Sequence, residues 1–107
     1  MSMSLQDQYA EATAPALQGR VQMATAKIAE DVGSEDPATP NHANRTSLAT
    51  QVARSPGAFT QSFTTAVVAQ GITSQSTDAD ISNAVSAVWN TMAGPTVPTA
   101  VAPAMGA

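Results

Sequence analysis

The chain has 107 residues, a mass of 10.8 kDa, 4 basic against 8 acidic side chains, and a pI near 4.5. This size allows one small domain with an appendage, and four dispersed cations, Arg20, Lys27, Arg45 and Arg54, exclude the basic patch that direct nucleic-acid binding requires. No cysteine is present, which excludes disulfide staples and thiolate metal sites, and nothing approaches the roughly 20 apolar residues of a membrane span.

Along the chain, punctuation marks out helices. Leu5, Tyr9 and Ala12 form a short apolar stripe at the start. Thr13-Ala14-Pro15 reads as a helix start, because a proline in the first turn loses no needed hydrogen bond. Leu17, Val21, Ala24 and Ile28 then recur on one helical face, and the helix should fade at Val32-Gly33. Glu35 to Pro40 is a loop, with Thr39-Pro40 expected to cap a helix over Asn41–Arg54.

Ser55-Pro56 restarts the chain in a helix carrying Phe59, Phe63, Ala66 and Val67, which Gly71 is placed to stop. Thr77 caps the last helix, and Asp78 and Asp80 oppose the positive end of its dipole. Ile81, Val85, Val88 and Met92 follow at helical spacing, Trp89 sits beside them, and Gly94-Pro95 ends the helix. No segment alternates with period two. The expected fold is all-α: a small bundle of four main helices over 1–94, then an extended Pro/Ala/Val-rich C-terminal arm over 95–107.

That arm is the most informative segment. It is uncharged, as is everything after Asp80, and it holds three prolines in thirteen residues. Prolines at this density favour an extended or polyproline course. A solubilising disordered tail is normally charged and poor in valine and methionine. This composition instead suits a strap lying on a surface, so Pro95, Val97, Pro98, Val101, Pro103 and Met105 are the candidate partner-binding residues.

The body points the same way. Alanine occurs 22 times and threonine 13 times, and the large apolar anchors are few. Alanine buries little area, so at about 25 cal/mol per Å² such a core is lean unless other subunits add to it. Charged residues are 11% of the chain, against about 25% in an ordinary soluble protein.

No catalytic constellation competes with this reading. Asp78 and Asp80 lack the further oxygen ligands of a calcium loop, and helix capping accounts for both. His42 stands alone in a first turn beside Asn41 and Asn44, with no nucleophile singled out for it to activate. Glu30-Asp31 and Glu35-Asp36 read as a solvated acidic loop. Arg45 and Arg54 can pair with these acids across the helical hairpin or with another subunit, and exposed pairs contribute little. Phe59, Phe63 and Trp89 read as core rather than as a ligand pocket. Phosphate loops, zinc spacings and dinucleotide fingerprints are absent. No enzyme activity, cofactor or metal is expected.

Gln18-Gly19-Arg20-Val21, Asn41-His42-Ala43-Asn44-Arg45 before an Ala-rich helix, Ser55-Pro56, and Ser76-Thr77-Asp78 with Ile81 and Trp89-Asn90 carry a resemblance. Over Leu17 to Gly94 the chain resembles small proteins encoded among the virion structural genes of tailed bacteriophages. The resemblance implies a particle subunit and transfers no catalytic residue. The expectation is a capsid-associated or head-completion/neck (head-tail connector) subunit binding capsid, portal or neck proteins and copies of itself. A tail-tube role is disfavoured, since those proteins are typically built on β-sheets.

Such a protein is made in the host cytoplasm, where this chain, lacking a signal-peptide pattern at Met1–Gln8, is expected to be soluble, and ends in the virion. The alternative is a small secreted or cytosolic Ala-rich helical partner-binding protein. Against that stands the missing Trp-x-Gly turn, since Asn90 and Thr91 follow Trp89.

Overall fold

A computed structural model describes residues 4–95. They form five helices: α1 (Leu5–Ala12), α2 (Pro15–Gly33), α3 (His42–Arg54), α4 (Pro56–Ala69) and α5 (Asp78–Ala93). No strand occurs among the described residues. The α2 helix is central and packs on α3, α4 and α5, while α1 lies mainly on α4.

The core gathers one face of each long helix. Leu17, Val21 and Val32 of α2, Leu48 and Val52 of α3, Phe63, Val67 and Val68 of α4, and Ile81, Val85 and Trp89 of α5 are all buried. Trp89 and Phe63 are fully enclosed and meet edge to face, with ring centroids 5.9 Å apart, the geometry their quadrupoles favour. Trp89, beside the expected stripe, is thus its centre, whereas Met92 at the stripe's end is 49% exposed. Two buried threonines adapt to this apolar setting: Thr25 donates to the Val21 carbonyl (2.8 Å) and Thr64 to the Thr60 carbonyl (2.6 Å), so neither hydroxyl is left unsatisfied.

The helix ends follow the punctuation with one exception. Pro15 and Pro56 each open a helix in its first turn. Thr77 accepts from the Asp80 amide at 3.1 Å. Gly71, at φ 98°, closes α4 in a Schellman arrangement: its amide donates to Val68, the Ile72 amide donates to Val67, and Ile72 folds into the core. The exception is α3. Thr39 and Pro40 do not cap it but lie in a turn, in which the His42 amide donates to the Thr39 carbonyl. Asn41 adopts a left-handed φ of 64°, and the helix begins only at His42. Asparagine tolerates that region better than most residues.

The first stripe also behaves differently from expectation. Leu5, Tyr9 and Ala12 do share a helix, α1, but only Ala12 is buried; Leu5 is 84% and Tyr9 72% exposed. Polar contacts tie α1 down. Gln18 and Gln61 donate to the Ala12 carbonyl at 2.9 and 3.4 Å, and Glu11 accepts from the Ser74 amide at 3.0 Å.

Candidate functional site

The most organised polar cluster lies at the C-terminal end of α5. Gly94, at φ 100°, ends α5, and its carbonyl accepts from Arg45 Nη1 at 2.8 Å. The same nitrogen donates to Asn90 Oδ1 at 2.7 Å, and Arg45 Nε donates to Glu35 Oε2 at 3.2 Å. Glu35 Oε1 faces His42 Nδ1 at 3.0 Å, and His42 Nε2 faces the Thr46 hydroxyl at 3.3 Å. The tautomer with the proton on Nδ1 satisfies both contacts of the ring. One residue further along the exit, the Pro95 carbonyl accepts from Asn41 Nδ2 at 2.8 Å.

Local sequence explains each placement. The left-handed Asn41 swings its side chain over Gly94, and no residue larger than glycine fits there: an added Cβ would overlap Asn41 Cγ and Nδ2. Arg45 follows one turn into α3, so its guanidinium reaches the last turn of α5. There the final carbonyls have no intrahelical donor, and a cation at that end also meets the negative pole of the helix dipole. Glu35 is brought in by the tight turn at Asp36, whose carboxylate accepts from the Ala38 amide at 2.9 Å.

Burial separates this cluster from the other ion pairs. The side chains of Arg45 and Glu35 are 7% and 12% exposed, against 66% and 61% for Lys27 and Asp31. The hydrogen bond and charge of Asp31 raise the pKa of Lys27 above its ordinary value of 10.5, but that pair stands in solvent. The acidic loop expected to be solvated therefore divides. Asp36 is exposed, whereas Glu35 is drawn into a near-neutral, hydrogen-bonded knot. Arg45 makes the cross-hairpin pair that its position allowed, buried rather than exposed, and Arg54 sits exposed in the last turn of α3. Beyond its place in the first turn of α5, Asp78 bridges to Arg20 Nη2 at 2.6 Å, and Arg20 Nη1 holds the Ser74 carbonyl at 3.0 Å.

Of the expected partner-binding residues, Pro95 is half-buried and held through its carbonyl. Val97, Pro98, Val101, Pro103 and Met105 lie outside the described residues. The residues of the cluster around Gly94 and Pro95, namely Glu35, Asn41, His42, Arg45, Asn90 and Gly94, do not read from the sequence as a unit. The available signal is the polar run Asn41-His42-Ala43-Asn44-Arg45 together with a Gly-Pro exit. Among the described residues, no group of three or more His, Asp or Glu side chains is placed to hold a metal, and no helix is long and apolar enough to cross a membrane.

No protein-family model, curated protein or solved structure matches this chain.

Proposed function

We propose that this is a structural subunit of a tailed-bacteriophage particle, capsid-associated or at the head-completion/neck position. In this reading a four-helix body, α2–α5, bears an extended arm over 95–107 that binds neighbouring virion proteins and copies of itself. The role is assembly rather than catalysis, and the protein resides in the virion after synthesis in the host cytoplasm.

The observation that carries the reading is the clamp on the arm's root. Arg45 and Asn41 hold the Gly94 and Pro95 carbonyls at 2.8 Å each. Burying Arg45 and Glu35 to fix one chain exit incurs desolvation that helix packing alone does not require. A fixed exit reduces the ordering cost when the following segment lies along a partner. Low charge, an alanine-rich core, and exposed Leu5, Tyr9 and Met23 add support, since each suits a subunit covered by neighbours.

The test is incorporation. A chain ending at Pro95 should fold normally and be recovered in purified particles far below the full-length level. Equal recovery of both forms would remove the arm from the account.

A further inference from the structure

An open groove runs between α4 and α5, lined by Ser62, Ala66, Gln70, Ala87, Val88 and Met92, with a volume of about 600 Å³. No charged residue lines it. Its lining includes the small side chains of Ser62, Ala66 and Ala87, and Met92 is half-exposed. Such a trough admits an extended peptide: alanines let a backbone approach, apolar side chains find Val88 and Met92, and Ser62 and Gln70 offer polar atoms to the peptide's unpaired N–H and C=O groups.

We propose that this groove is the acceptor for residues 96–107 of an adjacent copy of the same chain. The inference rests on the arm reading above and names the arm's partner. Three observations select this occupant. The segment matches the groove in chemistry, since neither carries a charge and Val97, Val101 and Met105 supply apolar side chains at regular intervals. Its twelve residues reach about 37 Å in a polyproline course, enough to span to a neighbour and still fill a groove.

The third observation is the direction of the clamp. Asn41 and Arg45 hold the exit on the α3 side of α5, whereas the groove opens on the α4 side. Val88 and Met92 each lie two residues from Asn90, about 160° around the helix from it. To enter its own groove the chain would have to pass from the face of α5 that holds Pro95 to the opposite face of the same helix. A neighbour's groove needs no such passage. Repeated head-to-tail, the contact is heterologous and generates a ring or an open chain.

The chain's lack of cysteine makes the test clean. Two full-length proteins, one carrying Ala66→Cys and the other Val101→Cys, are mixed under mild oxidation. A third, Ala79→Cys, exposed at the start of α5, reports random collision. The proposal expects disulfide-linked heterodimers of the Ala66→Cys and Val101→Cys proteins at more than about tenfold the Ala79→Cys background, because docking raises the effective concentration of the thiols. It also expects a ladder of linked copies from the Ala66→Cys/Val101→Cys double variant.

A double variant that closes only within single chains would overturn the second-copy assignment. Heterodimers no more abundant than background, while the chain ending at Pro95 still fails to enter particles, would refute the groove and leave the arm standing. Background crosslinking with normal incorporation of the truncated chain would refute both.

Discussion

Asn41 and Gly94, far apart in sequence, meet so closely that the asparagine side chain occupies the space a Cβ at position 94 would need. Both have positive φ, 64° and 100°. The start of α3 and the end of α5 thereby fix one another, and the exit at Pro95 follows.

Gly94→Ala should therefore destabilise the protein by about 2–3 kcal/mol, combining backbone strain with the overlap. Gly71→Ala, at φ 98° but with open space around its Cβ position, should lose only about 1 kcal/mol. In an Asn41→Gly background the cost of Gly94→Ala should fall to the Gly71→Ala level. Urea titration of the four proteins gives the coupling directly, and additive effects at 41 and 94 would contradict the contact.

Arg45→Met keeps an apolar stem but leaves Glu35 Oε2, Asn90 Oδ1 and the Gly94 carbonyl without the Arg45 donor, with His42 still facing Glu35 Oε1. The expected loss is about 3 kcal/mol, within the range for breaking a buried pair, in a domain whose whole stability is on the order of 5–10 kcal/mol. Lys27→Ala, which removes only exposed pairs with Asp31 and Glu30, should leave the melting temperature unchanged. The two melting curves compare buried with exposed charge in one molecule.

These expectations turn on features of uneven legibility. Helical spacing and proline and glycine punctuation predict α2, α4 and α5 closely, because Pro15, Pro56, Gly71 and Gly94 act through local backbone sterics. The α3 start is displaced because a left-handed Asn41 is favoured by its contact with Gly94, a tertiary effect invisible to local propensity. The exposure of Leu5 and Tyr9 escapes sequence reading for a similar reason. A two-turn stripe shows that a helix has an apolar side, but not that another surface is present to cover it. The clamp combines Glu35, Arg45 and Asn90 from three separate segments, and no local spacing joins them.

Trp89 is the chain's single tryptophan, fully buried, and its Nε1 has no hydrogen-bond partner among the described residues. Trp89→Phe should consequently lose only volume, about 1–2 kcal/mol, whereas Trp89→Ala should lose about 4 kcal/mol. Native fluorescence should be blue-shifted and move to the red in one cooperative step on unfolding. A loss above about 3 kcal/mol for Trp89→Phe would indicate a polar contact at Nε1.

Removal of residues 1–13 deletes α1, which buries only Ala12 and is otherwise held by Gln18, Gln61 and Glu11 contacts. The remaining chain should keep its helical circular dichroism and cooperative melting, with a loss of about 1–2 kcal/mol. Loss of the cooperative transition would show that α1 belongs to the folding unit.

The most direct measurement of the central claim is the solution mass of full-length protein and of the chain ending at Pro95, by size-exclusion chromatography with light scattering at matched concentration. An arm that joins copies predicts a multi-copy species for the full-length protein and a folded monomer for the shortened one. Identical monomer masses for the two would contradict it.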